Sequence, residues 1–195
     1  MCRSIKDSLI SGSIGVIVGI FLLAQKTPKY TWLAYFVLIA CSMQFIDALI
    51  WADIHPDLLS TYAIPFTLIL QPLVIYMGYL LLNKRIIMYE IFYGIWACAL
   101  LYKWITECKK TTVDTNGYLI WCGSKISFIP QIFYMFALLF PLLYFPDMVL
   151  KGIVIGSVVV TWIYNQSRDS VGSGWCYSQN FANLLILAYA LLDGQ

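Results

Sequence analysis

Apolar residues occupy this chain in seven long runs, and polar residues collect in the short stretches between them. About 20 consecutive apolar residues form a helix long enough to cross the hydrocarbon core of a bilayer. The pattern therefore predicts seven spans, at residues 8–24, 31–52, 61–82, 86–104, 127–145, 148–164 and 175–192. The expected fold class is all-α, a polytopic transmembrane helix bundle in a single integral membrane domain covering residues 1–195. A second interpretation has six spans and a re-entrant segment that begins at Trp175.

The composition strengthens the membrane assignment and excludes several functions. Hydrophobic residues make up 61% of the 195 residues and charged residues only 11%, whereas charged residues are about 25% of a soluble domain. The net charge of +2 is not gathered into a basic stripe, so nucleic acid is not an expected partner. A single histidine excludes a zinc site built from several histidines. We expect the lipid bilayer around this chain, with no cofactor and no bound metal.

The second span carries two polar residues in its interior, Gln44 and Asp47, which lie on one side of a helix because they are three positions apart. An ionised carboxylate at bilayer depth costs at least about 2.5–3.5 kcal/mol on insertion scales, so this side should face protein or water. Other spans offer polar partners in Gln71, Asn180 and Asn183. We expect these five side chains to form a polar intramembrane core that binds or conducts a small polar solute, an ion or a proton.

Two other functions stay open at the level of sequence. The first is a scaffold protein of a compartment or virion, in which the polar groups only hold the helices together. The second is an intramembrane thiol enzyme. Its nucleophile would be Cys176, at a helix start where a thiolate is favoured, or Cys2 near the amino terminus. Because neither cysteine has a histidine nearby to act as a base, we do not expect an enzyme.

The longest polar connection, between the fourth and fifth spans, contains Cys108 and Cys122. Positive charges in the short connections favour the carboxyl end inside. That orientation places the long connection outside or in a lumen, where a disulfide between the two cysteines can form. In the first span, Gly15 and Gly19 are spaced to let another helix approach closely. The approaching helix could belong to the same bundle or to a second copy, which leaves a homo-oligomer open.

Short motifs are distributed along the whole chain: Met1-Cys2-Arg3-Ser4, Ser8, Gln44 with Asp47, Leu70-Gln71-Pro72, Trp121 and Trp175-Cys176. Together they resemble an uncharacterised family of small polytopic membrane proteins that begin Met-Cys-Xaa-Ser and occur in bacteria, protists and large DNA viruses. This chain has Arg3 where the family usually has Trp, and Asp47 where Glu is usual. The resemblance implies a multi-pass protein of a host or viral membrane. It implies no activity, because the family has none assigned.

A second similarity is confined to Ser127-Phe128-Ile129-Pro130-Gln131. This segment resembles the Ser-x-x-Pro-Gln signature of seven-helix PQ-loop transporters and receptors. Members of that group carry another copy in the first helix, and residues 8–24 contain no proline. The missing copy argues against transport or receptor activity of that kind.

Overall fold

The computed structural model describes residues 4–82, 85–107, 111–113, 119–121, 128–166 and 175–193. Within these residues, seven long helices form a bundle: α1 (Ile5–Ala24), α2 (Pro28–Trp51), α3 (Pro56–Leu82), α4 (Ile87–Glu107), α5 (Phe128–Leu142), α6 (Met148–Gln166) and α7 (Trp175–Asp193). Two short antiparallel strands, β1 (Thr112–Val113) and β2 (Leu119–Ile120), lie between α4 and α5. Each predicted span corresponds to one helix, which confirms the all-α fold class.

Three of the helices, α1, α2 and α3, are long and apolar enough to cross a membrane, with 20, 24 and 27 residues. Both α2 and α3 begin on a proline, Pro28 and Pro56. Proline is tolerated in the first turn of a helix because the amide hydrogen that it lacks has no partner there. The predicted starts, at residues 31 and 61, were therefore three and five residues too late.

The helices run alternately up and down, so the bundle has two ends. The Lys29 end contains Lys29, Asp147 and Asp193, and the hairpin end contains strands β1 and β2. Helix α7 connects the two ends. Gln179 in its second turn contacts Gln44 of α2, and its last residue, Asp193, accepts a hydrogen bond of 2.7 Å from Lys29. Because α7 extends from one end of the bundle to the other, the structure favours the interpretation with seven helices that each run the length of the bundle.

An ion cluster joins three helices at the Lys29 end. Lys29 Nζ lies 3.0 Å from Asp147 and 2.7 Å from Asp193, and the Tyr189 hydroxyl donates to Asp147 at 3.0 Å. The other Asp147 oxygen accepts the backbone N–H of Leu150 and so caps α6. Partial burial raises the pKa of the Asp147 carboxyl, but the hydrogen bonds from Leu150 and Lys29 outweigh burial and hold this pKa below its ordinary value.

The glycine-rich side of α1 packs directly on α2. A Cβ atom added to Gly15 would lie 2.4 Å from the Cβ of Cys41, and one added to Gly19 would lie 2.6 Å from Leu38. At these short distances the backbone of α1 contacts side chains of α2 directly, and no room is left for a methyl group on either glycine. The predicted close approach is confirmed, and the approaching helix belongs to the same bundle. The alternative, in which Gly15 and Gly19 contact a helix of a second copy of the chain, is therefore wrong.

Apolar side chains fill the half of the bundle nearer the Lys29 end. The buried residues of this cluster come from all seven helices, and include Leu22, Leu33, Ile75, Tyr89, Leu142, Leu150 and Ala190. A second buried apolar cluster, which includes Ile50, Ile64, Leu100 and Trp104, lies toward the hairpin end. The buried amide side chains described below border both clusters.

Candidate functional site

Asp47 is buried near the carboxyl end of α2, with only 1% of its surface exposed. The indole nitrogen of Trp121, the residue directly after β2, donates a hydrogen bond of 2.9 Å to Asp47 Oδ1. Trp121 is itself buried. The predicted inward orientation of Asp47 is therefore confirmed, and its partner comes from the connection that precedes α5.

Hydrogen bonds to Ser60 hold this connection against the helices. Thr111, next to β1, donates its backbone N–H to Ser60 Oγ at 3.1 Å, and the Ser60 hydroxyl donates to Thr111 Oγ1 at 2.7 Å. Trp104 of α4 donates its indole N–H to the Ser60 carbonyl at 2.8 Å. Ser60 lies in a π-helical turn of α3, Leu59–Ala63, a distortion that is frequent at functional sites. Strand β1, next to Thr111, pairs with β2, and Trp121 directly follows β2.

Three glutamines and Trp121 are among the residues that line a small cavity, which we call the polar chamber: Gln44, Gln71, Gln179 and Trp121. The rest of its described lining is apolar: Phe36, Ala40, Met43, Leu68 and Leu138. Gln44 Nε2 donates a long hydrogen bond of 3.4 Å to Gln179 Oε1, and the Tyr134 hydroxyl donates to Gln71 Oε1. The space open to water centres is about 20 Å³, which is enough for one water molecule. Trp121 links this cavity to Asp47, which does not line it.

A second cavity, the side cavity, lies between α2, α6 and α7 and has about 30 Å³ of space for water centres. Its polar lining residues are Gln179, Asn183, Ser157 and Thr161, so Gln179 belongs to both cavities. The hydroxyl protons of Ser157 and Thr161 are donated to carbonyls of α6, at 2.8 and 2.6 Å. The two cavities together form a polar strip along α7.

Two amide nitrogens on this strip have no hydrogen-bond partner in the part of the chain that the structure describes. They are Nε2 of Gln179 and Nδ2 of Asn183, and both atoms are buried. An unpaired buried donor costs roughly 1–3 kcal/mol. Asn183 Nδ2 lies close to Gly15, 3.4 Å from the position that a Cβ would take there. A small movement that brings an acceptor to either nitrogen would therefore be stabilising.

Asn180 does not take its predicted place beside Gln44. It accepts a hydrogen bond of 2.9 Å from the Ser11 hydroxyl of α1, so it joins α7 to α1. Gln179 is the residue that contacts Gln44. The spacing of four residues between Gln179 and Asn183 was a signal for this shared side of α7, whereas Tyr134 lies in an apolar run that gives no signal.

The disulfide and the thiol nucleophile were predicted at cysteines that lie elsewhere in the chain. Cys2, Cys108 and Cys122 lie outside the described residues, and so does the side chain of Cys176. The disulfide and the thiol nucleophile therefore stay predictions. Two described cysteines have free thiols: Cys41 is buried and Cys98 is exposed. Within the described ranges, no group of three or more His, Cys, Asp or Glu side chains comes together.

No protein-family model matches the chain, and no curated protein or solved structure is significantly similar to it. The resemblance to the Met-Cys-Xaa-Ser membrane proteins therefore stays a prediction. A function for this protein has to be argued from the polar chamber and its surroundings.

Proposed function

We propose that this protein binds a small polar species, whether a solute, an ion or a proton, inside the membrane at the polar chamber beside Asp47. One observation carries the proposal: a buried carboxylate is joined through Trp121 to a cavity lined by three amide side chains. Amide and hydroxyl groups can hold helices together in a membrane without a charge. A carboxylate adds a cost that helix packing does not require, which favours a role in binding.

The size and position of the cavities restrict what is bound. The two cavities have about 20 and 30 Å³ of space for water centres, so the occupant is no larger than one or two water molecules unless the helices move. Toward the Lys29 end the path is filled by apolar side chains, and toward the hairpin end Trp121 covers Asp47. This arrangement supports an occluded binding site. Passage across the membrane would require both sides to open in turn.

The test compares two Asp→Asn variants that differ in burial. Purified protein is placed in liposomes, and proton, sodium and potassium flux is measured for the unchanged protein, Asp47→Asn and Asp57→Asn. Asp57 is an exposed carboxylate near the start of α3, so it controls for the loss of one charge. We expect flux that Asp47→Asn abolishes and Asp57→Asn preserves, with all three proteins giving the same thermal unfolding transition or nearly so.

The other outcomes separate the remaining functions. Equal flux in Asp47→Asn and the unchanged protein removes Asp47 from the pathway and contradicts the proposal. Absence of flux in all three proteins favours the scaffold function. Covalent trapping of a lipophilic electrophile at Cys176 or Cys2, lost when that cysteine is replaced by serine, would favour the thiol enzyme.

A further inference from the structure

An apolar groove lies on the outer surface of the bundle, between α4 and α5, and its described lining includes none of the amides of the polar chamber. It encloses about 380 Å³, and its walls are formed by Phe92, Ile95, Trp96, Ala99 and Phe133. Among the described residues that line it, Lys103 is the single charged one. This groove is more than ten times larger than either polar cavity, so it can hold a chain of several carbon atoms.

The groove has the length of one leaflet of a bilayer. Its lining residues on α4 extend from Phe92 to Lys103, eleven positions, which corresponds to roughly 16 Å at 1.5 Å per residue. The hydrocarbon core of a bilayer is about 30 Å thick, so one leaflet contributes about half of that. At the deep end, the Phe92 ring packs edge-on against Phe133 and Phe136, with centroids 5.8 and 4.9 Å apart, and closes the groove.

The outer side of α4 carries exposed apolar side chains within the groove and beyond it, as expected for contact with lipid. Met88, Ile91 and Ile95 are each more than half exposed. On a helix of 21 residues, close to the thickness of the hydrocarbon core, such a surface suits contact with the lipid around α1, α2 and α3, the helices apolar enough to cross a membrane. Lys103 and Glu107 lie in the last turns of α4, at the hairpin end, where the helix reaches the membrane surface.

These two charges complement a headgroup that carries both signs. Lys103 Nζ and Glu107 Oε2 are 3.8 Å apart, and the side chains are 34% and 67% exposed. A contact this long and this exposed contributes little by itself, which leaves both groups able to bind a ligand. The lysine ammonium can bind a lipid phosphate, while the glutamate carboxylate can accept hydrogen bonds from a primary ammonium.

We propose that this groove is a binding site for a phospholipid with an ethanolamine headgroup, taken from the leaflet at the hairpin end. One acyl chain lies along Ala99 between α4 and α5, the phosphate binds Lys103 and the ammonium binds Glu107. A choline headgroup lacks the N–H donors that Glu107 would accept from, and a glycerol headgroup lacks the positive charge. The site is independent of the polar chamber and of the function proposed for it.

The experiment measures which lipids stay bound to the purified protein. The protein in detergent is mixed with equal amounts of phosphatidylethanolamine, phosphatidylcholine and phosphatidylglycerol, and bound lipid is counted by native mass spectrometry. We expect a preference for phosphatidylethanolamine. Ala99→Phe should fill the groove and weaken retention about tenfold, with a smaller loss for Ala99→Leu. Cys98→Phe introduces the same side chain at a neighbouring exposed position outside the groove and should retain lipid.

Headgroup variants test the two polar contacts separately. Lys103→Gln should weaken retention of all three phospholipids, whereas Glu107→Gln should remove only the preference for ethanolamine. Equal retention by Ala99→Phe and Cys98→Phe would overturn the groove as the site. A preference for phosphatidylglycerol that Glu107→Gln leaves unchanged would overturn the ethanolamine assignment. Thermal unfolding of each variant in the same detergent shows that the proteins compared are folded.

Discussion

The indole N–H of Trp121 matters because it bonds to the carboxylate of Asp47. Trp121→Phe keeps an aromatic ring but removes this donor, so we expect a loss of about 1–3 kcal/mol, the usual cost of leaving a buried polar group unpaired. The matched control is Trp96→Phe. Trp96 is also buried, and its indole nitrogen has no partner among the described residues. Unfolding in detergent measures both variants, and an equal loss in the two would contradict the role given to the Trp121 hydrogen bond.

Single residues also show where sequence reasoning succeeds and where it stops. The spacing of Gln44 and Asp47 correctly predicted that both side chains are buried inside the bundle. Their partners were harder to predict. Trp121 is 74 residues from Asp47 in sequence, and only the path of the connection brings it there. Gln179 and Asn180 differ by one position, about 100° around a helix, and composition alone does not decide which of them faces α2.

At the scale of helices, the contact between α1 and α2 depends on glycine. Gly15→Ala would place a methyl group 2.4 Å from the Cβ of Cys41, an atom fixed to the backbone of α2. The two helices must separate, and we expect a destabilisation of about 1–3 kcal/mol. Gly152→Ala on α6 is the control, because no atom of the described residues lies within 4 Å of its added Cβ. There, better helix propensity should stabilise by up to about 1 kcal/mol.

Thermal unfolding of the two alanine variants in the same detergent should therefore shift in opposite directions. Shifts of the same sign would mean that helix propensity, rather than the contact with α2, decides the effect at Gly15.

The sequence could predict the helices themselves, because an apolar run of fixed length is a strong local signal. It could not predict the π turn at Leu59–Ala63 or the β1–β2 pair, since both depend on contacts between distant segments, such as Ser60 with Thr111.

At the scale of the whole molecule, the two ends of the bundle differ in kind. The Lys29 end carries an ion cluster, and the hairpin end carries a connection that packs on the helices, while buried apolar clusters lie toward both ends. This difference could not be predicted from composition, because it depends on which connections meet at each end. The difference between the ends also makes the two approaches to the proposed binding site unequal. A ligand that enters from the hairpin end contacts Trp121 before it reaches the amides.

The orientation of this asymmetric bundle in the membrane can be tested directly. Basic residues at the Lys29 end, among them Lys26, Lys29 and Lys151, predict that this end faces the cell interior. In a background without the six native cysteines, Asp57→Cys at the hairpin end should react with a membrane-impermeant thiol reagent in intact cells. Lys26→Cys should react only after permeabilisation. The reverse pattern would invert the orientation, and labelling of both from outside would contradict a bundle in which α2 crosses the membrane.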